Sequence, residues 1–523
     1  MNSSRIAPLW VIFSVFIALV GCEFGPFQSQ TRQLPGAVTV DVNDPLFLSG
    51  DPEANQWYLE TISAPDAWRR YAAIAADPVG GGVVRTVPVA VIDSGIHGGH
   101  EDLRGVLGRT GIDLVGGTVT LIPQGFPADA EGIQHGTHVS GLIAAEGGNG
   151  RGVAGVSYNG WGRPAASVVP IRSLEGLNGL LSDVIRGVLY AAGAAPGQEA
   201  APARVINMSL GADVSALDQT SILLFESAVE EAARRGLLMV AASGNGRVPG
   251  NGSSDDGPQG RSDGIDWPAR FPHVIAVGSV DRAAQPEDSQ RSYFSDYGLQ
   301  LELVAPGAES SGPNAEDNTG IVSTVPAVTP SSGYGLLAGT SMAAPLVAGA
   351  AATVWSANPH LSAEQVRRIL QDTAIDLGDP GRDEEYGYGL LNLDAALQAA
   401  ATTPYGRYES PSASRSSVPA HGSVTARELQ RTTQNTEYRP DLPAEFLVYL
   451  SDTADIGEFT RRVHQIAPLA RVASLGRLPL GDAMTVSMAP ASVSEDSSGF
   501  LFAALTNDAQ VLSVAQNRLL RLR

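Results

Sequence analysis

Five nearly continuous apolar runs, Val87 to Asp93, Val168 to Arg172, Val205 to Ser209, Leu237 to Ala242 and Val274 to Val280, punctuate the chain up to about Ala400. Apolar runs without alternation mark strands buried on both faces. Stretches with helical spacing separate them, and this alternation predicts an α/β fold: a three-layer sandwich on a mostly parallel sheet, with its site at the strand carboxyl ends. The pattern then breaks. Residues 401–440 are rich in Ser, Thr, Pro and Arg with little apolar periodicity, and read as a linker. Beyond it, Phe446 to Leu450 reads as a strand, and Asp452 to Ala467 sets Ile456, Phe459, Val463 and Ile466 on one helical face. Strands around Arg471 to Leu475 and Ala483 to Met488, a helix near Ser498 to Thr506 and a last strand Val511 to Leu522 complete a β-α-β-β-α-β order. That order predicts a small α+β ferredoxin-like domain over 441–523.

The N-terminus has a different character. Arg5 precedes an apolar run from Leu9 to Val20, too short for an ordinary membrane span but well sized for the core of a secretory signal over 1–21. Residues 22–50, rich in Gln, Pro, Gly and Asp, read as a tether ahead of the main domain at 51–400. Composition narrows the setting. A formal charge of −21 over 523 residues disfavours nucleic acid as a partner and favours solubility. All the basic residues are arginine, which a general composition bias explains without any functional link. Cys22 is the sole cysteine, so the chain forms no internal disulfide.

Three residues carry candidate chemistry. Asp93 closes the first buried strand and is delivered at its carboxyl end. His135 opens His135-Gly-Thr-His-Val-Ser-Gly141, and Ser341 lies in Gly339-Thr-Ser-Met-Ala-Ala-Pro345, just before an Ala/Val-rich helical stretch. A serine hydroxyl is a weak nucleophile at neutral pH and needs a base for its proton, a task that suits imidazole. A buried carboxylate then fixes the imidazole tautomer and stabilises the imidazolium. Singly, each residue has an ordinary reading, as a loop acid or a turn. His138 suggests a metal pair with His135, but the Glu of a His-Glu-x-x-His helix is missing, and His138 reads as structural.

Together, in the order Asp93, His135, Ser341, these segments resemble the subtilisin-type serine peptidase family. The resemblance implies a serine endopeptidase acting on proteins or peptides through an acyl-enzyme. It further implies that Asn245, in Ala241-Ala-Ser-Gly-Asn245, donates to the oxyanion beside the Ser341 backbone N–H. Asn207-Met-Ser-Leu-Gly211 matches the family's substrate-binding edge strand, so Ser209, Leu210 and Gly211 are expected to pair with substrate main chain. Ala212 departs from the usual second glycine. Asp102 aligns with a calcium-binding aspartate of the family, and Asn149 and Gln56 match further ligand positions, so a structural calcium is expected and no cofactor for the chemistry. Leu19-Val-Gly-Cys22 resembles a bacterial lipobox, which implies a lipidated Cys22 and membrane attachment, with Glu23 pointing to the outer membrane or cell surface.

The 441–523 segment, notably Leu505-Thr-Asn-Asp-Ala-Gln-Val-Leu-Ser-Val-Ala-Gln-Asn517, resembles the inhibitor-like propeptide that family members carry ahead of the catalytic domain. The usual place, between Cys22 and Asp44, is too short for such a domain. The chain's own C-terminal domain is therefore an expected partner of its peptidase domain, the other reading being an unrelated adhesion or partner-binding module. For the whole chain the rival function is a catalytically silent, membrane-anchored peptide-binding or adhesion protein.

Overall fold

The computed structural model describes residues 42–47, 55–76, 85–404 and 445–522. Within these spans 109, 118, 124–128, 130–133, 161–163, 196–201, 247–263, 313–318, 327–332, 452–453, 468–469, 479–480, 489–494, 507, 509–510 and 517–518 are excepted. The signal, Cys22, and most of the tether and linker lie outside the described residues. Among the described residues no helix is long and apolar enough to cross a membrane.

An eight-stranded sheet organises the larger part. Its spatial order is Leu301–Pro306, Val274–Val280, Leu238–Ala242, Val205–Met208, Val87–Asp93, Ala166–Arg172, Thr110–Asp113 and Thr120–Pro123. All neighbours run parallel except the last pair. The apolar runs explain the position of the inner strands: Val205–Met208, Leu238–Ala242 and Val274–Val280 are buried at every residue, as strands covered on both faces must be. Helices His135–Ala144 and Thr340–Ala357 pack together against one face, and Leu181–Ala191 and Gln219–Arg234 pack together on the other. The result is a three-layer α/β sandwich. Helix Thr340–Ala357 is built almost wholly from Ala, Val and other small residues. It lies buried against the sheet and brings its N-terminus to the strand carboxyl ends.

The C-terminal part forms its own four-stranded antiparallel sheet in the order Ala470–Leu478, Gly481–Met488, Glu445–Leu450, Val511–Gln516, with helices Ile456–Ile466 and Glu495–Thr506. Strand alternation divides the residues between two surfaces. Phe446, Val448 and Leu450 join Phe459, Val463, Leu501 and Val514 in a separate core, while Leu447, Leu475 and Ala483 join the core of the larger part. There they face Ile185 and Leu224 of the two outer helices. Polar contacts accompany the apolar ones: Ser182 Oγ donates to Glu445 at 2.9 Å, and the buried Arg186 donates to Thr485 Oγ1 at 2.8 Å.

One expected element is different. The run Val511 to Leu522 is not a single strand. Val511–Gln516 completes the small sheet, whereas Leu519–Leu522 leaves it and joins another, between Asn178–Leu180 and Leu210–Gly211. Its register is antiparallel on both sides: Leu519 opposite Leu180, Leu520 opposite Gly179, Arg521 opposite both Asn178 and Gly211, and Leu522 opposite Leu210. Periodicity cannot reveal such a break, because both pieces are apolar and only their pairing partners differ.

Candidate active site

Asp93 ends the central strand with 1 % of its surface exposed. Its carboxylate accepts from Nδ1 of His135 at 2.9 and 3.0 Å and from the Ser94 backbone N–H at 2.7 Å. A proton held on Nδ1 leaves Nε2 as the acceptor of the neutral ring, the tautomer a general base requires. His135 is the first residue of its helix. The close seat of that helix against the strand end depends on Gly136, where an added Cβ would come within 2.1 Å of the Gly95 carbonyl oxygen.

Ser341 is the second residue of helix Thr340–Ala357, where backbone N–H groups lack intrahelical acceptors. Its hydroxyl donates to the Ser209 carbonyl at 3.0 Å, and the Ser209 hydroxyl returns a bond to the Ser341 carbonyl at 2.8 Å. The Ser341 hydroxyl is thus tied to the edge strand that follows Asn207 and Met208. For Oγ to act as a nucleophile its O–H would have to turn from the Ser209 carbonyl to an imidazole acceptor, which would then take the proton from Oγ. Asn245 stands beside the same helix start. Its Oδ1 accepts from both the backbone N–H and the hydroxyl of Thr340, each at 2.8 Å. With the oxygen committed there, the amide nitrogen faces the other way with its two donors. Asp93 and His135 therefore pair at the carboxyl edge of the sheet, and Ser341 and Asn245 stand together at the start of helix Thr340–Ala357, with Ser209, Leu210 and Gly211 alongside.

Two contributors have no signal in the sequence pattern. Asp129 accepts from Ser94 Oγ at 2.8 Å and from the N–H and hydroxyl of Thr137 at 3.1 and 2.7 Å. Burial raises its carboxyl above the ordinary range against the lowering effect of these donors. It braces the strand end that carries Asp93 and the helix that carries His135. Asn178–Leu180 is the second edge of the groove, facing Leu210–Gly211 across the strand Leu519–Leu522. His138 turns away: its Nε2 bonds the Ile321 carbonyl at 2.9 Å, and complete burial pulls its pKa down to about 3.

Asp102 and Asn149 meet elsewhere. Asn149 Nδ2 donates to Asp102 Oδ1 at 2.9 Å, while Asp102 Oδ2 accepts from the Val153 N–H at 3.1 Å and the Tyr334 hydroxyl at 2.8 Å. Gln56 bonds the next residue, exchanging 2.8 Å bonds with the N–H and carbonyl of Ala154. Asp44 also reaches this loop, accepting from Gly148 and Asn149, and its carboxyl is raised by burial and by the charge of Asp102. Two buried carboxylates with amide oxygens around one loop are a donor set of the kind a hard cation takes. Among the described residues no group of three or more His, Cys, Asp or Glu is placed to hold a metal.

Residues 85–389 match the model of the subtilase family. Subtilisin DY of Bacillus licheniformis is 36 % identical over 313 residues, spanning 60 % of this chain and 91 % of that protein. An alkaline protease of Shouchella clausii is 32 % identical over 383 residues, spanning 73 % of this chain and 80 % of its own length. Among solved structures, a protease of Pseudoalteromonas arctica superposes with a TM-score of 0.51 at 30 % identity, covering 69 % of this chain and 99 % of that one.

Proposed function

The chain belongs to the subtilase family and is a serine-type endopeptidase, and on that premise we propose that Ser341, His135, Asp93 and Asn245 perform the hydrolysis. An extended substrate lies along Leu210–Gly211. His135 Nε2 takes the Ser341 proton as Oγ attacks the scissile carbonyl, and Asp93 holds the imidazolium through Nδ1. The oxyanion receives the Asn245 amide and the Ser341 backbone N–H. His135 then protonates the leaving amine, and water deacylates the serine by the same route. The observation that carries the assignment is the buried Asp93–His135 pair at 2.9 Å, at the strand edge where Asn245 is oriented by Thr340. A fluorophosphonate should label Ser341 in folded protein and fail on Ser341→Ala. Absence of any adduct on the wild type would favour the silent peptide-binding alternative.

The C-terminal domain restrains this enzyme in cis. Its sheet docks on helices Leu181–Ala191 and Gln219–Arg234, and Leu519–Leu522 fills the groove that substrate needs. A docked strand competes directly with an extended peptide for the same backbone groups. Removing residues 519–523 should raise peptide hydrolysis by the full chain; unchanged rates would favour the adhesion reading. A calcium ion held by Asp102, Asn149 and Gln56 would add stability to the 147–153 loop and take no part in the chemistry. Lipidation of Cys22 holds the enzyme at the outer membrane or cell surface, the support being the lipobox-like sequence. A Cys22→Ser variant should partition into the soluble fraction, and equal partitioning with wild type would refute the anchor.

A further inference from the structure

Ser341 opens a helix whose sequence leaves it one hydrogen bond short. In Ser341-Met-Ala-Ala-Pro345 the residue four positions on is proline, which has no N–H to give to the Ser341 carbonyl. Ser341 is buried, so that carbonyl requires a donor from elsewhere in the protein. The Ser209 hydroxyl supplies it at 2.8 Å. This donor is itself held, because Asn207 Nδ2 donates to Ser209 Oγ at 3.0 Å. With its oxygen engaged there, the hydroxyl directs its single proton to Ser341. Two hydrogen bonds in series therefore run from the strand Val205–Met208 to the Ser341 main chain.

Packing alone gives Asn207 no reason to be polar. It lies inside an apolar strand, opposite Val91 on one side and Val240 on the other, and is fully buried. Among the described residues its Oδ1 finds no hydrogen-bond partner. A half-satisfied amide weakens a core that leucine would fill without that loss, and its bond to Ser209 is what the strand gains in return. The two bonds between Ser209 and Ser341 also have different fates. The one from Ser341 Oγ to the Ser209 carbonyl opens when the hydroxyl turns to the imidazole. The one from Ser209 Oγ to the Ser341 carbonyl involves no reacting atom and persists. It holds the Ser341 main chain, and with it the N–H at the helix start, against the strand edge along which substrate lies.

We infer that Asn207 and the Ser209 side chain are positioning residues for the hydrolysis, acting through the Ser341 carbonyl to keep Oγ and the oxyanion N–H in register with the bound peptide. This rests on the endopeptidase reading above. A misplacement of about 1 Å costs a reaction about 10²-fold. Substrate pairs with the backbone of Leu210 and Gly211, which neither side chain alters, so the loss falls on kcat and not on KM.

The test uses the full chain, with rates expressed per site titrated by fluorophosphonate, so that misfolded molecules drop out. Ser209→Ala should lower kcat for a peptide amide by about 10- to 100-fold and leave KM within about twofold. Ser209→Thr keeps the hydroxyl and should recover most of the loss. Asn207→Leu should lower kcat by about 10-fold while its melting temperature equals or exceeds that of wild type, a pairing that a merely structural residue does not give. Added to Ser209→Ala it should lower kcat no further, since both act through one bond. Pro345→Ala restores a helical N–H to the same carbonyl, so Ser209→Ala should lose far less in that background. This arm compares variants that share one altered helix and stands even if Asn207→Leu misfolds. An undiminished loss there, or equal kcat for wild type and Ser209→Ala, overturns the inference and leaves the endopeptidase reading intact. No labelling and no cleavage by wild type overturns both.

Discussion

Thr485→Val tests whether the C-terminal domain is a latch, because it alters the docking face without approaching the catalytic residues. Arg186 is 4 % exposed, is paired with Asp183 at 2.9 Å, and sends a second donor to Thr485 Oγ1 at 2.8 Å. Burial already pulls its guanidinium below the usual range, with Asp183 and Glu445 acting against that pull. Valine keeps the volume of threonine and removes the acceptor; the long bond that the hydroxyl donates to the Ala473 carbonyl lies within the domain and is lost whether it is docked or not, so the loss across the docking face is one hydrogen bond to a buried charge, about 1.5–3 kcal/mol. Undocking would rehydrate the guanidinium, so the whole of this loss falls on the docked state. The population of open enzyme should rise by about 10- to 150-fold, until the chain is mostly open. Hydrolysis of a small peptide by the full chain reads that population directly. Deleting residues 519–523 from the same variant should add little once it is open. Equal rates for wild type, Thr485→Val and the deletion would refute the latch. A fall in rate for Thr485→Val would indicate instead that the domain supports the active fold.

Asn245→Ala should lower kcat by about 10²–10³ with little change in KM, as loss of this donor does in subtilisin, measured with a peptide amide after active-site titration. Stability should fall as pH is lowered through the acidic range. His138 has its folded pKa depressed from 6.5 to about 3, so the unfolded chain binds the proton first, and stability present above pH 6.5 is lost as pH falls towards 3. The loss is on the order of 4 kcal/mol if fully expressed. Urea midpoints at neutral and acid pH should converge for His138→Leu relative to wild type, and an unchanged slope would count against this assignment. Chelation with EDTA should lower the melting temperature of wild type and not of Asp102→Asn. An unchanged wild type means that the donors at Asp102 close the loop without metal.

Much of this architecture could be read from pattern alone because its strands are buried on both faces, so their apolar runs are nearly continuous from Val87 to Asp93 and from Val274 to Val280. The candidate catalytic residues at strand ends and helix starts share that legibility: Asp93, His135 and Ser341 each border a strongly patterned element. Asp129 does not. It bonds through a loop with no periodicity, and its partners Ser94 and Thr137 become neighbours only when the strand and helix meet. The division of Val511 to Leu522 into two strands was illegible because strand propensity carries no information about which edge a strand joins.

The two surfaces used by the C-terminal domain differ in what a mutation can do. The groove edges Asn178–Leu180 and Leu210–Gly211 bond to backbone, so weakening them weakens the bound tail and the substrate together, and the balance between inhibition and turnover changes little. The helix face of Ser182, Ile185, Arg186 and Leu224 contacts the domain and supplies neither groove edge. Changes there shift the latch while leaving the affinity for substrate alone. Measured on one set of peptides, Thr485→Val should therefore scale all rates by a common factor. Rates that Thr485→Val reorders among the peptides would refute the separation of the docking face from the substrate groove.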